Sequence, residues 1–337
     1  MSRALTPLVS LYGAAVGTKN LVYAKGLRRQ HRLQAPVVSV GNLSVGGSGK
    51  TPLTIRLAQL LRERDVEVDV LSRGYGRRSK AVERVIPGGS AEQFGDEPLL
   101  IAQSADVPVF VGASRYRAGL LAESAVIKPA LHLLDDGFQH RDLARDVDIV
   151  VLHRNDFADR LLPAGRLREP FSSLSRAHIV VLRQEDQDLE SELRRRRFTG
   201  PVWYMKRKLE APPLAPVVAF CAIARADEFF SGLRSCGIAV AAMRVWRDHH
   251  GYSRANVAEL IELRRQHEAE AFLTTEKDLV RLHPELRRMI ESAAPLHAAR
   301  LVVHLQDETA AIDQLFAFLP SGSQAGMNEV QRPSVRK

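Results

Sequence analysis

The chain has 337 residues, 45% of them hydrophobic, and 48 Lys and Arg against 39 Asp and Glu give a formal charge of +9. That length exceeds one average domain, so two units are expected, each with enough apolar residues for a core. The two cysteines, Cys221 and Cys236, exclude a disulfide framework and read as small buried hydrophobes of a reducing compartment.

The positive charge is local. Residues 1–62 carry nine Lys and Arg and no acid, whereas residues 63–337 hold the other 39 basic and all 39 acidic side chains. With no aromatic-interleaved basic motif beside it, this pattern argues against a nucleic-acid partner, and no obligate protein partner is evident. No signal-peptide cleavage pattern follows the N-terminal apolar run. Ala4 to Thr18 is an uncharged stretch of 15 residues, apolar at Leu5, Leu8, Val9, Leu11, Tyr12 and Val16, and Lys25, Arg28, Arg29 and Arg32 follow it. A spanning helix needs about 20 such residues. The combination predicts an amphipathic helix within residues 1–34 that lies on an anionic membrane surface, where each Lys or Arg contributes about 1 kcal/mol. The competing reading is a helix docked on the protein's own core with a solvated basic tail.

Residues 36–52 form a short β-branched strand, a glycine-rich loop and the start of the apolar-periodic helix Leu53–Leu61. The loop reads Ser44, Val45, Gly46, Gly47, Ser48, Gly49, Lys50, Thr51. A nucleoside triphosphate demands this order. Main-chain N–H groups wrap the phosphates, the helix N-terminus adds partial positive charge, Lys50 reaches the outer phosphates, and the Thr51 hydroxyl ligates Mg²⁺. One position departs from the G-x-x-x-x-G-K-[ST] pattern: Ser44 stands where the first glycine belongs.

Strand-length apolar runs recur at residues 66–72, 107–111, 130–134, 147–152 and 178–182, with helical periodicity between several of them. Strands alternating with helices imply an α/β fold: a P-loop NTPase parallel sheet with helices on both faces. A proline-rich junction at residues 212–216 precedes a smaller α/β unit with strands near 217–222, 238–246 and 271–274. The expected organisation is therefore 1–34 membrane-associating helix, 35–205 P-loop core, 206–319 smaller domain and 320–337 disordered tail. Arg194 to Arg197, preceded by acids at 185, 186, 188, 190 and 192, reads as a solvated helical face.

Leu131 to Leu134 is an apolar strand ending in Asp135-Asp136, the form of a Walker B element. A carboxylate at the end of a buried strand needs a partner such as Mg²⁺, and adjacent carboxylates diverge, so one of the two is the closer ligand. Arg73, Tyr75 and Arg77 follow a strand and so stand on the ligand edge. Arginine forks suit phosphate oxygens and Tyr75 suits a sugar or base face. Arg115 and Arg117 are weaker candidates of the same kind. Asp96, just before a helix with a proline near its start, reads first as an N-cap. His249 and His250 read first as a solvated pair.

Asp135-Asp-Gly-Phe-Gln-His140, taken with the 44–52 loop, closely resembles one family, the tetraacyldisaccharide 4′-kinases of lipid A biosynthesis. Further matches follow in order: residues 72–77 (SRGYGR), 95–98 (GDEP), 165–170 (GRLREP), 248–252 (DHHGY) and 274–278 (TTEKD). Within that family Ser44 is ordinary. The resemblance implies ATP-dependent phosphorylation of the 4′-hydroxyl of a lipid-borne glucosamine disaccharide 1-phosphate. It places the protein at the cytoplasmic face of a Gram-negative inner membrane. It also implies that Asp96 orients or accepts the proton of the sugar hydroxyl, that His249 hydrogen-bonds Asp96 and tunes it, and that the second domain closes onto the first. Glu169 becomes a further Mg²⁺ contact and His140 a substrate contact on the same basis. No role beyond helix capping follows for residues 275–278. Two other classes share such loops: a P-loop GTPase or metal-cofactor chaperone, and a membrane-surface ATPase without a sugar acceptor. In Thr275-Glu276-Lys277-Asp278 the lysine stands one place late for a guanine-reading [NT]-K-x-D, and two separated cysteines make no metal-delivery cluster.

Overall fold

A computed structural model describes residues 6–212 and 216–320; the expected disordered tail, but for Pro320, lies outside the described residues, as does the middle of the proline-rich junction. Twelve strands among them form one sheet. In the first half they are β1 (Val37–Asn42), β2 (Val68–Ser72), β3 (Glu83–Arg84), β4 (Val109–Val111), β5 (Leu131–Asp135), β6 (Val147–Val151), β7 (Ile179–Arg183) and β8 (Val202–Glu210). The second half adds β9 (Val217–Cys221), β10 (Val240–Val245), β11 (Ala271–Thr275) and β12 (Leu296–Leu305). Every residue of β1, β2, β5, β6 and β9 is buried, as strands covered on both faces are, and most of them are apolar.

Across the sheet the order is β10-β9-β11-β12-β8-β7-β6-β1-β5-β2-β4-β3. Pairing is parallel except at β8/β12 and β3/β4. The chain fills β5, β2 and β4 on one side of β1, and β6, β7 and β8 on the other. Strand order reverses at β1, so a ligand crevice opens at its carboxyl end. Register sets Val40 beside Asp135, which puts the loop after β1 and the acids ending β5 on one edge.

Helix α1 (Thr6–Ala24) precedes the sheet. Helices α2 (Lys50–Arg62), α3 (Ala91–Phe94), α4 (Asp96–Ser104), α5 (Arg115–Glu123) and α6 (Glu190–Arg195) belong to the first half. The second half carries α7 (Ala226–Ser235), α8 (Arg254–Gln266), α9 (Glu276–Arg281), α10 (Pro284–Ala293) and α11 (Glu308–Ala317). One face of the first half is sealed by Leu53, Leu57, Leu61, Leu99, Ile101, Ile312 and Leu315, the other by Leu43, Phe138, Leu174, Leu182 and Leu193. Two further clusters line the faces of the second half. Ser253 caps α8 through a reciprocal pair with Asn256.

Two expectations are corrected. The division at 205/206 falls inside β8. β12 pairs antiparallel with β8, removing an open edge, and α11 returns to the first core, where the Arg56 fork meets Glu308 at 2.6–2.8 Å. Cys236 is exposed and only Cys221 is buried. Helix α1 docks by one side and keeps apolar residues on the other. Its inward positions (Val9, Tyr12, Gly13, Val16, Asn20, Tyr23) dock partly by polar contacts: Tyr12 Oη donates to Arg168 O at 3.0 Å and Asn20 Nδ2 to Glu169 at 2.9 Å. Leu8, Leu11 and Leu21 on the outward side are 50%, 68% and 53% exposed. Among the described residues no helix is long and apolar enough to cross a membrane. The arginine run is the solvated face expected of it, with Arg194 paired to Glu190 and both Arg195 and Arg196 to Glu192.

At Gly41 on β1 a Cβ would sit 2.5 Å from Cβ of the fully buried Phe138. Gly41→Ala is expected to destabilise the protein by roughly 1–3 kcal/mol through overpacking. The urea unfolding midpoint reads it, and a midpoint equal to the parent's contradicts it.

Candidate functional site

The phosphate loop leaves β1 through Asn42, whose Nδ2 donates to Ser44 O at 2.7 Å. Gly46 and Gly49 take φ of +101° and +98°, a backbone that favours glycine, and α2 starts at Lys50. The turn therefore delivers free N–H groups and a helix N-terminus to the same point. Within it the Ser48 hydroxyl is buried without a partner, as a group awaiting a ligand is. Ser44 is also buried, and Asp156 of the turn Arg154–Phe157 bonds its side chain. A Cβ on Gly46 would collide with the Arg166 guanidinium, and one on Gly47 would lie 3.8 Å from Arg225 Cδ. Arg166 and Arg225 thus lean over the loop. Sequence reasoning missed both; Arg166 sits inside the quoted 165–170 motif, and Arg225 has no motif to mark it.

Asp135 ends β5 fully enclosed. Its oxygens accept from Thr54 Oγ1 at 3.3 Å and Ser72 Oγ at 3.5 Å, both neutral donors. Burial, then the charges of Glu97 and Asp136, push its carboxyl up to about 7. Asp136 turns the other way, at φ +49°. It accepts a two-pronged Arg168 fork at 2.8 and 3.0 Å, and Lys50 Nζ lies 3.5 Å off. Burial opposes its charge, yet Lys50 and Arg168 hold it well below the usual carboxylate range. The two acids diverge as a strand end requires. A divalent cation fits beside Asp135, the carboxylate that only hydroxyls contact.

Asp96 is the first residue of α4, preceded by Gly95 at φ +90°, so the capping position is the glycine's. Its Oδ2 lies 3.2 Å from His249 Nδ1. His249 reaches it from the second half, off a left-handed backbone at φ +59°. His250 instead stacks on Trp246 and meets Asn256, so the two histidines part and are not the solvated pair expected. Two further cations crowd the carboxylate, Arg281 at 2.6 Å and Lys277 at 3.8 Å, and sequence reasoning put neither in the site. Burial works against the charge of Asp96, but the His249 hydrogen bond and the Lys277 and Arg281 charges hold it below the usual range.

Other expected residues divide. Tyr75 is exposed and its ring meets His249 edge-on at 5.5 Å. Arg115 is buried within the fields of Asp136, Arg73 and Asp135, and Arg73 also acts on His140, so these stand together. Arg77 does not join them: it holds its own loop through Glu83 and the Ala81 carbonyl at 2.6 Å. Arg117 is exposed on α5 and makes its contact through its backbone N–H to Ser114. Glu169 is corrected as a metal contact, because its oxygens are taken by Arg176 and by Asn20 of α1, which it pins to the core. No group of three or more His, Cys, Asp or Glu among the described residues could hold a metal ion by itself.

His140 is half-buried with Nε2 unpartnered, and burial, then Arg115, Arg145, Lys19 and Arg73, press its imidazole down to about 3. It is neutral in the folded protein, while the unfolded chain binds its proton below about pH 6.5. Stability from this site is therefore complete above that pH and lost as pH falls toward 3. Urea midpoints should drop between pH 7.5 and 5, and drop less in His140→Asn. Parallel profiles for parent and variant would remove the effect.

The family model LpxK, tetraacyldisaccharide-1-P 4′-kinase, matches residues 1–319. The tetraacyldisaccharide 4′-kinase of Koribacter versatilis (strain Ellin345) is 45% identical over 326 residues, covering 94% of this chain and 98% of that one. Its counterpart in Aquifex aeolicus (strain VF5) is 40% identical over 298 residues, covering 82% and 89%. The crystal structure described as the "apo" form of LpxK from Aquifex aeolicus in complex with ATP aligns with a TM-score of 0.76 at 34% identity, over 94% of this chain and 99% of that one. Phosphate loop, paired acids and overall fold thus agree with likeness along almost the whole chain, which belongs to the tetraacyldisaccharide 4′-kinase family.

Proposed function

We infer that the phosphate loop, the Asp135-Asp136 pair and the Asp96–His249 pair divide one phosphoryl transfer among them. The chain is an ATP-dependent kinase that phosphorylates the 4′-hydroxyl of a tetraacyldisaccharide 1-phosphate. Residues 44–51 hold the triphosphate, with Lys50 moving from Asp136 onto its outer oxygens. Thr51 and Asp135 would hold Mg²⁺, with Asp136 behind them. That ion would neutralise charge on the β- and γ-phosphates and draw them into line. Arg73, Tyr75, Arg115 and His140 line the acceptor side.

The observation that carries this reading is the 3.2 Å contact of Asp96 with His249, made across the two halves on the edge that holds the loop. The hydroxyl oxygen attacks the γ-phosphorus, the bond to the β–γ bridging oxygen breaks, ADP leaves, and the proton departs toward Asp96. A carboxylate kept ionised by cations is a weak base. In a loose transition state, orienting the hydroxyl is the larger task, and Asp96 is suited to that.

The partner surface is a membrane, which also carries the substrate. The outward leucines of α1 would enter the interface, with Leu27 (74% exposed), Lys25, Arg28 and Arg29 beside them. We propose a peripheral association, on the cytoplasmic side, where anionic lipid would hold the basic residues. The domain reading becomes a proposal of two halves on one sheet whose cleft closes for chemistry. The GTPase and metal-delivery readings give way to the kinase reading, because the chain belongs to a kinase family.

Transfer of labelled γ-phosphate to the disaccharide in detergent tests the roles. Asp96→Ala should lower kcat by about 100-fold or more with ATP affinity kept, whereas Lys50→Ala should lose both. Parent-like turnover of Asp96→Ala would remove that residue from the chemistry. For the membrane, Leu8→Asp/Leu11→Asp should abolish flotation with phosphatidylglycerol vesicles while sparing turnover in detergent. Undiminished flotation contradicts the interfacial role of α1.

A further inference from the structure

Residues 274–278 carry no chemistry so far beyond Thr275, whose hydroxyl caps α9. The contacts of that helix say more. Lys277 and Arg281 stand four residues apart, on one face. That face meets the first turn of α4. Lys277 Nζ lies 2.9 Å from Glu97 Oε1, and Arg281 donates Nε and Nη2 to Asp96 Oδ2 at 2.8 and 2.6 Å. The third Arg281 nitrogen, Nη1, donates to Ala222 O at 2.6 Å and to Asp278 Oδ1 at 3.0 Å. Asp278 is fully buried, accepting from Ala222 N at 3.1 Å and Thr275 Oγ1 at 2.7 Å. One guanidinium, its side chain 8% exposed, thereby ties the end of β9 and helix α9 to the carboxylate that faces the acceptor.

We propose that Arg281, with Lys277 beside it, is a positioning residue of the phosphoryl transfer: it clamps Asp96 from the second half, so that cleft closure and carboxylate orientation are one event. This rests on the reading of Asp96 as the group that meets the sugar hydroxyl. The fork is rigid and planar, so engaging one oxygen through two nitrogens fixes where the carboxylate points. His249 Nδ1 approaches the same oxygen and lies 3.4 Å from Arg281 Nη2, so histidine and arginine share it in a fixed order. Without the clamp, Asp96 could turn toward Lys277 or His249 alone, and a misplacement of about 1 Å at the reacting centre costs about 100-fold. The groups at Asp96 are Arg281 and Lys277 from α9 and His249 from the segment after β10; behind them Asp248 pairs with His249 and Glu97 with Lys277. Loss of one cation leaves the carboxyl easier to protonate.

The experiment measures kcat and KM for the full chain and for Arg281→Met, Arg281→Lys, Lys277→Met and Asp96→Asn. In Arg281→Met, kcat should fall about 100-fold with KM for ATP unchanged. Arg281→Lys should recover part of that loss, and Lys277→Met should lower kcat by less. If Asp96→Asn turns over like the parent, the reading of Asp96 itself fails. If Asp96→Asn is inactive while Arg281→Met keeps the parent's kcat, the clamp fails and the reading stands. Should Arg281→Met not fold, the other two carry the test: parent-like kcat in folded Arg281→Lys and Lys277→Met overturns the proposal.

Discussion

A carboxylate buried in protein must find a cation or give up its charge. The acids of this cleft find theirs across element boundaries. Asp136 at the end of β5 is held by Arg168 from a distant loop and Lys50 from α2. Asp96 and Glu97 on α4 are held by Arg281 and Lys277 on α9. Asp135 is the exception, enclosed among hydroxyls with its carboxyl pushed up to about 7 by burial and its acidic neighbours. Among the described residues Asp135 makes no ion pair of its own, and we place the metal ion there. The same pairing draws the two halves of the molecule together.

The sheet makes that pairing geometrically possible. A second half tethered only by a linker could not hold His249 and Arg281 near Asp96 without losing much conformational freedom. Here β12 bonds β11 on one side and β8 on the other, and α11 closes the first core against α2. Both halves therefore present strand ends along one shared sheet. The loop after β9, with Ala224 and Arg225 beside the phosphate loop, and the start of α9 are delivered by framework rather than by chance contact.

What was legible in the sequence follows from how local the cause is. The phosphate loop was readable because glycine positions, lysine and helix start lie within eight residues, and the backbone requirement is local. The strand ending in Asp135-Asp136 was readable for the same reason. Asp96 was not, since a residue before a proline-bearing helix looks like a cap; only its likeness to a family put it in the site. Arg281 and Lys277 lay on a short helix whose pattern signals capping, and their partners are about 180 residues away. Glu169 misled because a family motif fixes where a residue lies in the chain, not what its oxygens touch; Asn20 and Arg176 take them. The domain boundary failed because pairing of β8 with β12 joins residues about a hundred apart, which no composition shift reports. For α1 the apolar run was visible, but which side faces the core depends on where Arg168 and Glu169 stand.

The central claim is that one loop grips the triphosphate while Asp96, clamped from the other half, meets the sugar hydroxyl. A crystal structure of this chain with a non-hydrolysable ATP analogue, Mg²⁺ and the disaccharide tests it most directly. The expected result is phosphates cradled by residues 44–51, the ion on Asp135, and the 4′-oxygen within hydrogen-bond distance of Asp96. Phosphates bound away from that loop, or a 4′-oxygen out of reach of Asp96, would contradict it.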